Sequence, residues 1–126
     1  MNQKKSSRPW SFRIKDILDA IENIQKFTGD MTFIEFDTNR MILDAVIRNF
    51  EIIGEAGNHI PPSIQNKYSQ IPWKQIISMR NSLIHEYFGA DNTVIWDTIQ
   101  MHLPGLKSQL LQIVADHPNE QWLASA

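Results

Sequence analysis

A short stretch of the chain concentrates side chains suited to acid–base and phosphate chemistry. Arg80 presents a planar guanidinium that can bind phosphate through two parallel hydrogen bonds, and His85 titrates near neutral pH. Asn81 lies four residues before His85, which pairs the two side chains on one side of a helix. Tyr87 follows Arg80 by seven residues and returns to nearly the same helical face. Side chains of these types could support proton exchange beside a bound phosphate group.

The position of Arg80 on its helix is unusual. It lies near the centre of an apolar arc, where an isolated guanidinium is costly to bury. We therefore expect Arg80 to meet a carboxylate, to line a wet cleft or to face a second subunit. On a straight helix Arg80 and His85 point about 140° apart. The reach of the arginine stem, a loosened last turn or a partner subunit must bring them together.

A purely structural interpretation of these residues stays open at this point. Arg80 would be an ion-pair partner, His85 a cation favoured by the C-terminal end of its helix, and Tyr87 an amphipathic residue at the core edge. Helix geometry alone favours this interpretation, because structural ion pairs are common.

Other polar residues are weaker candidates. Asn49 is expected to be a satisfied core amide, with support of the cleft as the alternative. A charged stripe on the same helix is expected to form surface salt bridges, although one of its carboxylates could hold Arg80. The stripe consists of Arg40, Asp44, Arg48, Glu51 and Glu55. The spacing of His59, His102 and His117 is not typical of metal ligands, so we expect no metal site and no cofactor.

Composition limits the class of protein. With 126 residues, 42% of them hydrophobic, the chain has the size of one domain. Its net charge of -2 attracts no generic nucleic acid, so any RNA contact must be local. The absence of cysteine excludes a thiolate nucleophile and cysteine-bound zinc. No apolar run suggests a secretion signal or a membrane span, and we expect a soluble cytoplasmic protein without a membrane partner.

Hydrophobic residues at helical spacing predict helices along the whole chain. The predicted helices run from about residue 12 to 29, 39 to 56 and 73 to 87, with a short one before residue 68 and a last one after Asp91 or Asn92. Pro104 should kink or restart the last helix. The predicted fold is all-α: an antiparallel bundle of four to five helices in one domain, residues 1–126. Its core spans about residues 12–115, between flexible tails.

Local signals mark where these helices begin and end. Ser11 is predicted to cap the first helix, and Thr32 with Glu35 has the form of a capping box. The long helix that follows is predicted to be capped by Asp37 or Thr38. Near its end, the glycines at positions 54 and 57 indicate either close packing against a neighbour or a helix stop.

The whole string from Arg80 to Tyr87 reads RNSLIHEY, of the form R-x-x-x-x-H-x-Y. It resembles the signature of the HepT group of HEPN-domain toxins. Surrounding segments resemble the same family: RIKDILDAIENIQKFTGD, AVIRNFEIIGEAGNHIPP, IPWKQIISMRNSLIHEYFG and VIWDTIQMHLPGLKSQL. The resemblance runs from about Phe12 to Leu111 and is specific, because the motif stands in register with its flanking segments.

This resemblance implies a homodimeric ribonuclease toxin of a type VII-like toxin–antitoxin system, with two motifs facing one cleft. Metal-independent RNA cleavage needs a base for the 2′-hydroxyl, an acid for the leaving oxygen and a cation for the phosphorane. The resemblance implies that His85 exchanges protons, Arg80 receives the phosphate and Asn81 orients one of them. It implies a nucleotidyltransferase antitoxin as partner, which would transfer AMP to Tyr87.

Two other functions compete with a ribonuclease that acts on tRNA or mRNA. One is a catalytically silent HEPN domain that binds nucleotides or serves as a protein-interaction adaptor, and the other is a plain helical interaction module. The presence of Arg80, His85 and Tyr87 together favours the ribonuclease, because an adaptor has no need of that spacing.

Overall fold

The computed structural model describes residues 8–80 and 92–122, and every regular element in these two ranges is helical. The predicted all-α class is therefore confirmed for this part of the chain. The helices are α1 (Trp10–Thr28), α2 (Phe33–Thr38), α3 (Arg40–Asn58), α4 (Pro62–Lys67), α5 (residues 73–80, at the edge of the described range), α6 (Asn92–Asp97) and α7 (Leu103–Asp116), with a π-helical turn (Thr98–His102) between the last two. None of these helices is both long and apolar enough to cross a membrane.

The first helix shows how the apolar pattern builds the core. Ile14, Ile17, Ile21 and Ile24 repeat at intervals of three and four residues, and all are fully buried. The helix begins at Trp10 after Pro9, so the prediction that Ser11 caps it is wrong. Ser11 lies inside the helix, where its buried hydroxyl donates to the backbone oxygen of Gln121 at 2.7 Å.

The boundary between α2 and α3 depends on two caps. Thr32 and Glu35 form the predicted capping box, in which each side chain accepts from the other residue's backbone N–H. The α3 cap is Asn39, whose side-chain oxygen accepts from the backbone N–H of Ile42 at 3.0 Å. The prediction of Asp37 or Thr38 was thus wrong by one or two residues, because Asn39 alone has the extended backbone between two helices.

Two glycines let α5 approach α3 closely. A Cβ built at Gly54 would lie 3.1 Å from the Cβ of Arg80, and one at Gly57 would lie 2.9 Å from Cγ2 of Ile76. α3 continues through both glycines, so they mark close packing rather than a helix stop. The later glycine meets the earlier residue of α5, which shows that α3 and α5 run antiparallel.

α7 packs antiparallel against α1. Trp10 at the start of α1 contacts His117 at the end of α7 edge to face, with ring centroids 5.2 Å apart. Lys107 near the start of α7 donates to the side-chain oxygen of Gln25 near the end of α1 at 3.5 Å. The π-helical turn precedes Pro104 in the first turn of α7. The predicted kink or restart at this proline is thereby confirmed.

The segment after α7 also packs on the bundle. The indole N–H of Trp122 donates to the backbone oxygen of His117 at 2.8 Å, and its ring contacts Trp10 edge to face. The ordered contacts of the described chain therefore extend past residue 115. The four tryptophans at positions 10, 73, 96 and 122 are all core residues or pack against the core.

A hydrogen bond joins the end of α4 to the end of α7. The Tyr68 hydroxyl donates to Oδ2 of Asp116 at 2.8 Å. Partial burial, together with this hydrogen bond and the Asp116 charge, raises the pKa of Tyr68 to about 12. The same hydrogen bond lowers the pKa of Asp116, with a contribution from Gln112. At neutral pH this is a phenol bound to a carboxylate, and it holds the two helix ends together.

Candidate active site

Arg80 projects from α5 into an open cleft. Its Nη1 lies 3.3 Å from Oε1 of Glu55 on α3, and the two side chains are 57% and 51% exposed. Arg80 thus meets a carboxylate and lines a wet cleft, two of the arrangements that its sequence context left open. The expectation that it faces the core is corrected: its Cβ lies over Gly54, and the long stem carries the charged end outward to water.

The cleft has a volume of about 480 Å³, within the range of ordinary ligand sites. Side chains from α1, α3 and α5 line it: Arg13, Asp16, Arg48, Glu51, Ile52, Glu55, Ala56 and Arg80. Among the described residues most of this lining is charged, and one isoleucine and one alanine are apolar. The site therefore suits a charged, hydrated ligand better than an apolar one.

Arginine and carboxylate groups alternate in this cleft. Nη1 of Arg48 lies 3.5 Å from Oε1 of Glu51, one turn away on α3. Asp16 is bound from outside by Nη2 of Arg8, at 2.8 and 3.0 Å from its two oxygens. Within residues 8–80 and 92–122, no carboxylate lies at ion-pair distance from Arg13. Each acid of the cleft thus has a basic partner, and one arginine remains unpaired.

Sequence reasoning missed part of this cation set. Arg48 was expected to belong to a surface of salt bridges, which its pairing confirms, but it also lines the cleft. Arg13 was not singled out at all. A usable signal was present, because the chain has only five arginines and helical spacing places Arg13 beside the buried face of α1. The partner carboxylate of Arg80 did come from the predicted stripe, and it is Glu55.

Asn49 is a structural residue. It is 7% exposed; its amide nitrogen donates to the backbone oxygen of Ala45 at 2.9 Å, and its oxygen accepts from Asn23 at 3.2 Å. Both ends of the amide have partners, and Asn49 does not line the cleft. The prediction of a satisfied core amide is confirmed.

Asn81, His85 and Tyr87 lie outside the described residues. Their predicted roles stay predictions, and the structure places Arg80 alone among the four site residues. In the described ranges, no three side chains of histidine, cysteine, aspartate or glutamate form a group that could hold a metal ion. The described part of the site therefore offers guanidinium groups that can bind an anion. Its carboxylates can orient these groups or compete with the anion for them.

Comparison with known proteins identifies the family. The family model described as "Ribonuclease HepT-like" matches residues 17–113. The chain belongs to the HepT-like ribonuclease family. This match runs from within α1 through most of α7 and includes the RNSLIHEY motif, so the family predicted from that motif is confirmed, and with it the ribonuclease class.

Three similar proteins show the extent of the likeness. "Putative RNase MJ0125" of Methanocaldococcus jannaschii is 44% identical over 101 residues, which are 80% of this chain and 87% of that protein. "Probable ribonuclease HepT" of Thermococcus cleftensis is 42% identical over 96 residues, 76% of this chain and 87% of that protein. "Putative RNase TTE0752" of Caldanaerobacter subterraneus is 36% identical over 110 residues, 87% of this chain and 96% of that protein. No solved structure gives a significant match to this chain.

Proposed function

We propose that this HepT-like ribonuclease is the toxin of a type VII-like toxin–antitoxin pair and cleaves cellular tRNA or mRNA in the cytoplasm without a metal ion. The observation that carries the proposal is the exposed guanidinium of Arg80, held at the mouth of a charged cleft on the helix that leads into the RNSLIHEY motif. A guanidinium in that position can receive the scissile phosphate through two hydrogen bonds.

The reaction requires proton transfer at two oxygens. The 2′-oxygen attacks phosphorus, loses its proton to a base and forms the new P–O bond, while the bond to the 5′-oxygen breaks and an acid protonates that oxygen. His85 supplies the titrating group, Arg80 stabilises the charge on the phosphorane, and Asn81 orients the imidazole or the phosphate. Each motif contains one histidine, which can act as the base or as the acid but cannot do both at the same moment. A homodimer that brings two motifs to one cleft supplies both.

The ion pair between Arg80 and Glu55 is compatible with substrate binding. Both partners are about half exposed, and exposed pairs of this kind contribute about 0–1 kcal/mol. A phosphate that offers two charge-assisted hydrogen bonds can therefore replace Glu55 at little cost.

The proposed regulator is a cognate nucleotidyltransferase antitoxin. It would join Oη of Tyr87 to the α-phosphorus of ATP and release pyrophosphate, which adds a negatively charged phosphodiester seven residues from Arg80. That phosphodiester would compete with RNA for the arginine. Incubation with the antitoxin, ATP and magnesium should raise the mass of the Tyr87 peptide by AMP, and inhibition without this adduct would contradict the proposal.

The experiment that tests the function compares the parent with His85→Ala in cleavage of purified tRNA and mRNA in the presence of a chelator. The parent should cleave RNA and leave the corresponding 2′-deoxy substrate intact, and the variant should lose at least about 100-fold in rate, the lower range for a general acid–base group. Circular dichroism should show an unchanged helical content. Equal cleavage by parent and variant would exclude His85, and a folded parent that cleaves no RNA would favour the silent adaptor.

A further inference from the structure

The arginines of this chain gather around one cleft. Of the five arginines in the sequence, three line the Arg80 cleft and a fourth, Arg8, binds Asp16 on its wall. Only Arg40 lies elsewhere. The chain also has seven lysines, and none of the five that lie in the described ranges lines this cleft. Arginine, unlike lysine, offers a planar fork that matches the geometry of phosphate, so this selection of residue type points to a phosphate ligand.

Three different helices supply the lining arginines. Arg13 comes from α1, Arg48 from α3 and Arg80 from α5. The tight contact of Arg80 with Gly54 fixes the third helix against the second, and the α1–α3 packing fixes the first. The three cationic groups therefore sit on a rigid scaffold and line one continuous cleft.

The electrostatic balance of the cleft differs from that of the whole chain. The described lining holds three arginines and three carboxylates, and Arg8, which binds Asp16 from outside the lining, is a fourth arginine beside them, in a chain of net charge -2. Arg13 has no carboxylate at ion-pair distance in the described ranges, and Arg48 is 70% exposed with a long 3.5 Å contact to Glu51. Both guanidinium groups are thus available to an anionic ligand.

We propose that Arg13 and Arg48 bind RNA phosphates that neighbour the one received by Arg80, so that the cleft holds a short stretch of single-stranded backbone. This inference rests on the proposed ribonuclease function and names the residues that hold the substrate. The described lining includes no aromatic side chain on which a base could stack. Arg13 and Arg48 therefore contribute affinity and register, and they do not select a base.

The test measures RNA binding and its salt dependence. A fluorescein-labelled ten-nucleotide RNA is titrated with protein that carries His85→Ala, which serves as the non-cleaving parent. The same RNA is titrated with double variants that carry Arg13→Gln or Arg48→Gln as well as His85→Ala. Each added variant should raise Kd by about three- to tenfold at low salt, and the slope of log K against log salt should fall by about 0.7, the value for one phosphate contact on a single strand. The change should be equal for RNAs of different sequence.

Arg40→Gln is the matched control. Arg40 lies on the same helix as Arg48, two turns earlier, pairs with Asp44 at 3.1 Å and borders a different hollow. The substitution Arg40→Gln removes one positive charge, as Arg13→Gln and Arg48→Gln do, so a non-specific effect of net charge would appear in this variant as well. We expect its Kd and salt slope to match those of the parent within about twofold. Thermal unfolding checks that all variants remain folded.

The outcomes separate this inference from the proposed function. Suppose that the parent cleaves RNA, and that Arg13→Gln and Arg48→Gln both leave Kd and the salt slope unchanged. This result would overturn the inference and leave the proposed function intact. A parent that binds RNA with the expected slope but cleaves none would contradict only the proposed function. Variants that bind RNA normally yet lose affinity for the purified nucleotidyltransferase would assign the arginines to protein docking and overturn the inference.

Discussion

At the scale of single residues, Glu55 has the most informative position. Its carboxylate is 3.3 Å from Arg80 and 3.7 Å from Nδ1 of His59, so it meets both a permanent cation and a titratable ring. Its exposure keeps it within reach of substrate. A carboxylate in front of a phosphate-binding arginine can act in two opposite ways: it can orient the guanidinium, or it can compete with the phosphate.

Glu55→Gln distinguishes these two roles. The amide oxygen can still accept a hydrogen bond from Arg80, but the negative charge is removed. We expect KM for RNA to fall about two- to fivefold with kcat little changed, since an exposed pair contributes up to about 1 kcal/mol. Steady-state cleavage kinetics at constant ionic strength measure both constants.

Asp44→Asn serves as the control for Glu55→Gln, because it removes one negative charge from α3 outside the cleft. KM should be unchanged in that variant. A fall in kcat with unchanged KM in Glu55→Gln would contradict competition and show that the Glu55 carboxylate orients Arg80.

At the scale of elements, the α3–α5 contact decides where Arg80 stands. A Cβ at Gly54 would meet the Cβ and backbone nitrogen of Arg80 at 3.1 Å and the backbone oxygen of Ile77 at 3.3 Å. These atoms are backbone atoms or are bonded directly to the backbone, so relief requires the α5 backbone beside Gly54 to move by a few tenths of an ångström. Gly54 is therefore a positioning residue for the arginine, although it carries no side chain.

Gly54→Ala should destabilise the protein and impair cleavage. Overpacking costs about 1–3 kcal/mol, whereas the gain in helix propensity returns about 1 kcal/mol, so we expect a net loss near 1 kcal/mol. The displacement of Arg80 should lower kcat/KM severalfold, because catalysis is sensitive to small misplacements. Denaturant unfolding and cleavage assays measure the two effects.

Gly105→Ala provides the opposite case. A Cβ at Gly105, in the first turn of α7, has no neighbour within 4 Å, so this change should stabilise the protein by up to about 1 kcal/mol and leave cleavage unchanged. Equal stabilisation by both substitutions would show that the α3–α5 contact gives way without cost, and that Gly54 has no positioning role.

At the scale of the whole molecule, charge and assembly become important. The chain is acidic overall, yet its arginines gather in one cleft, so RNA attraction is local rather than a general property of the surface. One chain carries a single copy of the motif, which begins at Arg80 and contains one histidine. Two proton transfers are needed, and the proposed dimer meets that need with one histidine from each subunit.

Dilution with inactive subunits tests the proposed dimer. Parent and His85→Ala chains are mixed in equal amounts, unfolded and refolded together. If one cleft needs a histidine from each chain, only parent–parent dimers are active, and the total rate should fall to about one quarter of that of undiluted parent chains at the same total concentration. If each chain works independently, the rate should fall to about one half. Refolding the parent with Arg40→Gln chains should preserve the full rate, and a half-rate with His85→Ala would contradict the shared cleft.

Features that depend on local order along the chain could be predicted from the amino-acid sequence. Helical spacing of apolar residues predicted the all-α class, Thr32 and Glu35 predicted the capping box, and Pro104 predicted the restart of the last helix. The motif beginning at Arg80 identified the family. Such signals are readable because helix hydrogen bonds and caps join residues within four positions of one another.

Contacts between residues far apart in the sequence could not be predicted in this way. Glu55 as the partner of Arg80, the contact of Arg80 with Gly54 and the joint cleft of Arg13, Arg48 and Arg80 depend on the register between helices. An apolar stripe specifies that a helix packs, but many registers bury it equally well, and local order does not distinguish them. The same limit explains why Arg80 was expected to face the core. Arg80 does lie on the apolar arc of its helix. Its Cβ packs over Gly54, however, and from there the stem carries the guanidinium out to solvent.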